Sequence, residues 1–468
     1  MTEEMHHSHD SDEVVEELRD ELSQQAKKLV SDLEHGHADA FRQGFAELHG
    51  FDQGQFYIHL PSQLRRQVID WLTPNEMADV FDELEPDEVD MAALLEEMSP
   101  KYAAAMIDDM YSDNSVDLLS SLKDSHQLSM YLALMPKQDA VGIQKLLKYE
   151  AKTAGSLMGH DYVAVQDTLT IQEAMLAVKR AAEEAEQITY IYVVNQANKL
   201  VGVVSLRTLM LKPDTARLVD VMDTNLITVA PDTDQEEVAH IMADYNFSSL
   251  PVVLDDELLG IIMVDDIVDV IDEEAAEDYS HLAGVDVAKL DERPLTAAGK
   301  RLPWLIGLIF LGMGTASVID GFNSMVKVAP ILAVFISLIT GTAGNAGTQS
   351  LAVAVRRLAL NESSTFVRML FTEIFIGLLI GVVAGLTIFG VVWFWKSDLL
   401  LGVAVGLAMM MAILVANVAG AFIPLLMDLI GVDPAVASGP FISTLSDLTS
   451  VLIYFNIAGW FIKIFGVV

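Results

Sequence analysis

The residue of this sequence best placed to do chemistry is Asp447, an aspartate inside a long hydrophobic segment that starts at Gly439. Its polar neighbours are Ser443, Thr444, Ser446, Thr449 and Ser450. A charge deep inside a membrane helix costs roughly 2.5–3.5 kcal/mol even on the lenient insertion scale. The carboxylate is therefore expected to face water, a polar partner or a cation. Residues three apart share a helix face, which places Thr444 beside Asp447 in one polar stripe.

Two interpretations of Asp447 compete. In the structural one, the carboxylate is tied to a neighbouring helix and serves packing alone. In the functional one, it binds a cation on its way through the membrane. Ionisable residues inside membrane segments generally mark ion pathways. We therefore predict a cation site at Asp447.

A second polar stretch ends another hydrophobic segment, from Thr340 to Ser350. Its glycines allow neighbouring backbones to approach closely, which is common where membrane helices pack. Small residues alone would suit helix packing equally well. Asn345 and Gln349, however, share one helix face, and opposite Asp447 they would make a hydrophilic path. Asn417 is a weaker candidate for the same path.

A third cluster is an acidic stretch at residues 265–282. As a helix it would carry Asp266, Asp269, Glu273 and Glu277 in one stripe, with Ile267, Val268, Val270 and Ile271 as its apolar side. Like charges four residues apart destabilise a helix by roughly 0.2–0.5 kcal/mol per pair. A solvated acidic face is the simpler interpretation. Bridging by divalent cations is the alternative we favour, because no Lys or Arg compensates the stripe.

The net charge of −39 lies in the first 300 residues, which hold 21 Lys and Arg against 60 Asp and Glu. No Lys or Arg lies between Arg217 and Lys289. A polyanionic soluble part excludes nucleic acid as a partner, because phosphate binding needs clustered Lys and Arg. The chain has no cysteine, so thiolate metal sites are excluded. Oxygen ligands alone favour Mg²⁺, Ca²⁺ or Mn²⁺.

The elements that must position these residues follow in blocks. Residues 1–12 are predicted to be a disordered tail. Residues 13–150 contain short apolar-periodic segments that follow one another every 12–14 residues, several led by proline, which predicts a superhelical stack of short helices. The prolines that would start helices are Pro61, Pro74, Pro86, Pro100 and Pro136.

Residues 151–264 change to a strand-like pattern that occurs twice. Residues 162–175 match 226–239, and residues 190–210 match 249–270. Each copy is predicted to contain a strand, a helix, two strands joined by a polar turn, and a helix. The repeat resembles a tandem pair of CBS domains, a resemblance that implies an adenine nucleotide such as ATP as a ligand.

Residues 265–290 are predicted to be a connecting helix, and residues 291–468 a transmembrane domain. Its hydrophobic segments are long enough to span a bilayer. They lie at 302–322, 328–354, 366–394, 401–430 and 440–465. Most of the basic residues flanking them fall on the side of the soluble part. The positive-inside rule then places the N-terminal domains in the cytoplasm and the C-terminus on the opposite side.

The order of these parts resembles the MgtE family of magnesium channels. The resemblance is strongest in "MADYNFSSLPVV", "VDDIVDVIDEEAAED", "GTAGNAGTQS" and "GVDPAVASGPFISTLSD". It implies a multidomain fold, with an α-helical N-terminal domain, an α/β CBS pair, a plug helix and an all-α five-span domain. It also implies a homodimer in the cell inner membrane for Mg²⁺ influx, its pore lined by the second and fifth spans with Asp447 and Asn345. Thr444 joins them as a pore residue because it shares the polar stripe of Asp447.

The resemblance further implies how the pore is closed. Mg²⁺ bound between the helical domain, the CBS pair and the plug helix would lock it shut, so that Mg²⁺ is both substrate and regulator. The positions that match this ligand set are Asp266, Asp269, Glu274, Glu277, Asp278 and the backbone of Ala243, with Asp113 and Asp117 as weaker matches. Glu236 joins the set as part of the same uncompensated charge. Asn246 departs from the pattern, because relatives can carry an aspartate there.

Two other functions stay open from the sequence. One is a secondary transporter for divalent cations such as Co²⁺, Mn²⁺ or Ni²⁺, coupled to protons or sodium through the same carboxylate. The other is a membrane-anchored nucleotide or metal sensor that transports nothing. An enzyme is not expected, because the sequence has no His-Glu-x-x-His motif, no Walker-type loop and no nucleophile elbow.

Overall fold

The computed structural model describes residues 24–86, 89–182, 185, 187–285, 294–359, 366–430 and 438–465. The predicted tail 1–12 and the last residues of the predicted connecting segment lie outside these ranges. The chain divides into two compact units, Met1–Ile271 and Asp272–Val468, within the acidic helix. Each unit is described by itself.

Short helices that follow one another form the first part of the first unit, as predicted. They are Gln24–Glu34, Ala38–Ala46, Gly50–His59, Ser62–Trp71, Pro74–Phe81, Met91–Glu96, Pro100–Asp109, Ser112–Ser121, Ser125–Leu134 and Lys137–Leu146. Pro74 and Pro100 occupy the first helical turn, where a missing N–H costs nothing. The prediction for Pro86 was wrong, since that helix starts at Met91 and is capped by Asp90.

The CBS repeat folds as two similar halves. The first half contains Ala154–Leu157, β1 (Ala164–Gln166), Ile171–Ala181, β2 (Tyr190–Val194), β3 (Leu200–Ser205), Leu206–Leu211 and the 3₁₀ turn Leu218–Asp220. The second contains Gln235–Tyr245, β4 (Ser249–Leu254), β5 (Glu257–Met263) and Val264–Ala283. Strand β2 pairs parallel with β1 and antiparallel with β3, and β4 pairs antiparallel with β5.

The first strand predicted for the second half is reduced to one bridge, between Val229 and Val252. In the first half, the Tyr192 N–H donates to the Val163 carbonyl and extends the ladder. Pro251 takes the place of Tyr192 in the second half, and proline has no N–H to donate. The ladder therefore stops at Val229.

The acidic helix, Val264–Ala283, forms as predicted, but only half of its predicted apolar side is buried. Ile267 and Val270 belong to the core shared by the short helices and the second CBS half. Val268 is 60% exposed and Ile271 is 50% exposed. The packed face is narrower than the apolar one because residues three apart, here Ile267 and Val270, point to the same side of a helix.

Five helices of the second unit, among the described residues, are long and apolar enough to cross a membrane, as predicted. They are the first span, Pro294–Gly321, the second, Ile331–Ala359, the third, Phe366–Lys396, the fourth, Leu399–Leu429, and the fifth, Gly439–Phe465. A short helix, Asn323–Val328, lies between the first two.

Candidate functional site

The second and fifth spans lie in close backbone contact. A Cβ atom added at Gly344 would lie 2.8 Å from the Ser443 Oγ, and one added at Gly347 would lie 2.9 Å from the Ser446 Oγ. A larger side chain at either glycine would force these serine side chains to move, so the small residues let the two spans approach closely. The small residues of the 340–350 stretch thus have the packing role that was one of their two interpretations.

These two spans run antiparallel. Near one end, a Cβ atom at Gly439 would lie 3.7 Å from the Thr348 side chain. Towards the other end, the Tyr454 hydroxyl donates to the Leu332 carbonyl at 2.9 Å. Antiparallel neighbours are what five successive membrane crossings require of a second and a fifth span.

The contact pairs also fix which residues share a side. In two right-handed helices that run antiparallel, the residue after each contact residue turns to the same side of the contact line, since each residue advances about 100°. Asn345 follows Gly344, Thr444 follows Ser443, and Asp447 follows Ser446. The pair of spans therefore presents Asn345, Thr444 and Asp447 along one side, which is the arrangement the hydrophilic path needs.

The exposure of these residues suits a lining role. Asn345 and Gln349 are exposed in the single chain, and Thr444 and Asp447 are half-buried. The Thr444 hydroxyl donates to the Pro440 carbonyl at 2.8 Å. Within the described ranges, no Lys, Arg or His side chain forms a salt bridge with Asp447. Asn417 is different: it is buried and hydrogen-bonded to Glu373, so its predicted place on the path was wrong.

The last turn of the acidic helix packs beside this pair. Leu282 contacts a small apolar cluster of Leu351 and Val355 from the second span and Ile442 from the fifth. The Leu282 carbonyl would lie 3.3 Å from a Cβ atom at Gly439. The end of the acidic helix thus lies against the end of the second span and the start of the fifth.

An acidic cluster around one buried aspartate lies in the first unit, where the short helices meet the CBS repeat. Asp113 is only 6% exposed. The pKa of its carboxyl is raised to about 6: burial is the main cause, the Asp161 and Asp265 carboxylates add to it, and the Asn114 N–H acts against it. Asp161 accepts hydrogen bonds from the N–H and hydroxyl of Ser112 at 2.8 and 2.6 Å. The sequence did not predict that Asp161 and Asp265 belong to this cluster, because the residues next to them along the chain do not show that they lie near Asp113.

The raised carboxyl pKa values in this region predict that the stability of the first unit depends on pH. Burial also raises the pKa of Asp82 to about 7. A carboxyl group whose pKa is higher in the folded chain than in the unfolded chain contributes stability that depends on pH. This contribution is fully present below the unfolded pKa near 4 and is lost as the pH rises through the folded pKa. For Asp113 the loss is at most about 3 kcal/mol. We expect urea denaturation in EDTA to show stability falling from about pH 4 to about pH 7.

A divalent cation should reverse that loss, since it would neutralise the ionised cluster. We expect Mg²⁺ to flatten the pH dependence of unfolding, and D113N to weaken both the pH dependence and the effect of Mg²⁺. Equal pH dependence with and without Mg²⁺ would contradict a cation at this cluster.

The other predicted cytosolic ligands occupy scattered positions. Asp117 and the Ala243 residue are exposed, and Asp266 accepts from the Met263 N–H at 3.3 Å. Glu236 and Glu277 lie near the histidines one turn on, at 3.8 and 3.6 Å. Among the residues the structure describes, no group of three or more acidic or histidine side chains is arranged to hold a metal ion, the cluster around Asp113 included. The ligand set with Asp269, Glu274 and Asp278 therefore stays a prediction.

Asn246 has a local structural role. It ends the helix Gln235–Tyr245 in the left-handed conformation, with φ 52° and ψ 46°. Asparagine is favoured over most residues there because its short polar side chain tolerates a positive φ. The departure from the family pattern is therefore compatible with the local fold.

Comparisons with known proteins match the whole order of parts. The family profile described as "MgtE intracellular N domain" matches residues 48–152, the profile "CBS domain" matches 154–213 and 218–273, and the profile "MgtE: Divalent cation transporter" matches 336–457.

Two curated relatives and one solved structure agree with these matches. A protein of Enterococcus faecalis named "Magnesium transporter MgtE" is 52% identical over 448 residues, 95% of this chain and 99% of the relative. One of the same name from Bacillus subtilis is 36% identical over 440 residues, 93% and 97% of the two chains. The "crystal structure of the soluble part of a magnesium transporter" is 44% identical, with a TM-score of 0.53, and covers 54% of this chain and 98% of that one.

Proposed function

The chain belongs to the MgtE family of magnesium transporters, and from this premise we propose that two copies form a Mg²⁺ channel for influx, closed by Mg²⁺ on the cytosolic side. Family membership favours transport over the non-transporting sensor. The channel, its gating and its direction go beyond that membership. The channel and its gating are argued from the geometry of this chain, and influx from the resemblance to the family.

The observation that carries the pore is the shared side of Asn345, Thr444 and Asp447 on the second and fifth spans. Mg²⁺ gives up its water reluctantly and is usually bound through one or two carboxylates and several waters. A single carboxylate with amide and hydroxyl neighbours suits such a hydrated ion. A second copy related by a two-fold axis would double this set around one path.

The gate in this proposal is the acidic helix. Its Leu282 end lies against the second and fifth spans, and its start carries Asp265, whose charge acts on the buried Asp113. Ionised carboxylates that act on one another in this way repel unless a cation bridges them. Mg²⁺ that binds the compact arrangement better than a separated one shifts the population towards closure. A shift from 1:99 to 99:1 needs about 5.5 kcal/mol of differential binding, which several Mg²⁺ ions together would supply.

Three further parts of the proposal follow from the family and the sequence. The chain is placed in the cell inner membrane with its N-terminal domains in the cytoplasm, since most of the basic flanks of the spans lie on that side. It is placed in a homodimer because one carboxylate facing lipid would be costly. ATP stays a predicted ligand of the CBS pair.

The test of the proposed function is Mg²⁺ flux through purified protein in liposomes. A channel gives a passive flux that follows the Mg²⁺ gradient and that falls as Mg²⁺ on the cytosolic side rises into the millimolar range. A flux that requires an imposed proton or sodium gradient would overturn the channel in favour of the coupled transporter. Reconstituting the protein with an impermeant Mg²⁺ indicator measures either result directly.

A further inference from the structure

A buried carboxylate joins three spans of the membrane unit. Glu373 of the third span is 3% exposed, Ser350 of the second 3% and Asn417 of the fourth 2%. The Ser350 hydroxyl donates to the Glu373 Oε2 at 2.9 Å, and the Asn417 Nδ2 donates to the same oxygen at 2.9 Å. The Asn417 Nδ2 also donates to the Glu373 backbone carbonyl at 3.1 Å. One oxygen thus holds both neighbouring spans.

Such a group is an expensive way to pack helices. A buried carboxylate must recover the loss of hydration through hydrogen bonds, and apolar residues of similar volume often pack at lower cost. What directed hydrogen bonds add to helix packing is a fixed register between the helices. Hydrogen bonds between membrane helices are usually individually modest, so their role here is specificity of position rather than stability.

The register that this cluster fixes is that of the second span. Ser350 lies five residues after Asn345, about 140° around the helix, so the cluster holds the side turned away from the proposed pathway. The Gly347 carbonyl lies directly against the position that a Cβ atom would take at Gly420 of the fourth span. The same Gly347 faces Ser446 of the fifth span. Any slip of the second span against the third and fourth would therefore move Asn345 relative to Asp447.

We propose that Glu373 is a positioning residue of the ion pathway: through Ser350 it holds the second span, and with it Asn345, in register against the fifth span. Glu373 itself touches no ion in this role. The inference rests on the proposed pathway between the second and fifth spans.

The test compares single substitutions of the cluster in the full chain in liposomes. E373A removes the acceptor, S350A removes the donor of the second span, and N417A removes the donor of the fourth. E373Q keeps an acceptor oxygen for both donors and is the conservative variant. T387A is the matched control, because Thr387 lies on the same span, is exposed and bonds only its own helix.

The readout is the ratio of Mg²⁺ to Co²⁺ flux, measured beside the yield of folded protein by size-exclusion chromatography. We expect E373A, S350A and N417A to change this ratio by roughly threefold to tenfold, within the range found for residues that act through others. E373Q and T387A should keep the wild-type ratio. S350A in the E373A background should add nothing, since both remove the same contact.

An unchanged ratio in S350A and N417A, or lower flux that only follows the yield of folded protein, would overturn the inference. So would a change in E373Q as large as that in E373A, because hydrogen bonding would then not be what matters. If E373A does not fold, the two milder variants decide. Failure of the pathway itself shows separately, as Mg²⁺ flux that survives D447A.

Discussion

Replacing Asp447 with alanine is expected to abolish Mg²⁺ uptake while leaving the protein folded. Its carboxylate is the acidic group on the side that the second and fifth spans share. Within the described residues it forms no salt bridge with a basic side chain, so a purely structural role as an ion-pair partner is not supported. Its loss removes a charge interaction worth several kcal/mol in a partly dehydrated path, which corresponds to a fall in flux of more than about tenfold. Mg²⁺-dependent growth of a transport-deficient strain measures this.

Two variants make the result specific. D447N keeps the size and polarity of the side chain and is expected to lose uptake almost as fully, because the charge is missing. N456A is the matched control: Asn456 is exposed on the same span, on the opposite face from Asp447, and its side chain bonds the Leu452 carbonyl. Normal uptake in D447A, at normal expression, would refute the ion pathway.

Neutralising the acidic helix is expected to leave uptake intact and to remove its inhibition by Mg²⁺. The variant changes the predicted ligands of this helix to Asn or Gln at Asp266, Asp269, Glu274, Glu277 and Asp278. Without these charges the compact arrangement has little to gain from Mg²⁺, so the closed population no longer rises with Mg²⁺. Liposome flux at low and at millimolar Mg²⁺ on the cytosolic side measures the inhibition.

The control removes as much charge elsewhere in the soluble part. It neutralises five exposed acids in and between the short helices, namely Asp39, Glu47, Asp52, Asp70 and Glu83. This control is expected to keep full inhibition by Mg²⁺, because net charge is not the sensor. Normal inhibition in the acidic-helix variant would exclude this helix as the sensor, whatever the control does.

The sequence predicted most of the fold because its patterns are local. The structure of a segment can be predicted when its own residues carry the pattern. This holds for the five long apolar stretches, the duplicated strand pattern and the helix starts led by proline. The misses have equally local reasons. Pro251 lies on β4 and ends the pairing of the neighbouring strand, because proline has no N–H to donate. Pro86 was predicted to start a helix, but that helix starts later and is capped by Asp90. Neither effect is visible in the periodicity of the segment concerned.

Less of the candidate site than of the fold could be predicted from the sequence. Asp447 stood out because a charge in an apolar segment is rare. The Asp113, Asp161 and Asp265 cluster and the Glu373 cluster each combine residues far apart in sequence, so only the folded chain brings them together. The burial of Asn417 was missed for the same reason, since its partner lies on another helix.

The position of Thr444 offers the most direct measurement of the central claim, because the chain has no native cysteine. In the T444C variant, the account predicts a disulfide between two copies under mild oxidation and a block of Mg²⁺ flux by a charged thiol reagent, with Mg²⁺ slowing the reaction. A T444C thiol that neither cross-links nor reacts with the reagent, in protein that still carries Mg²⁺, would contradict a water-filled path on the two-fold axis.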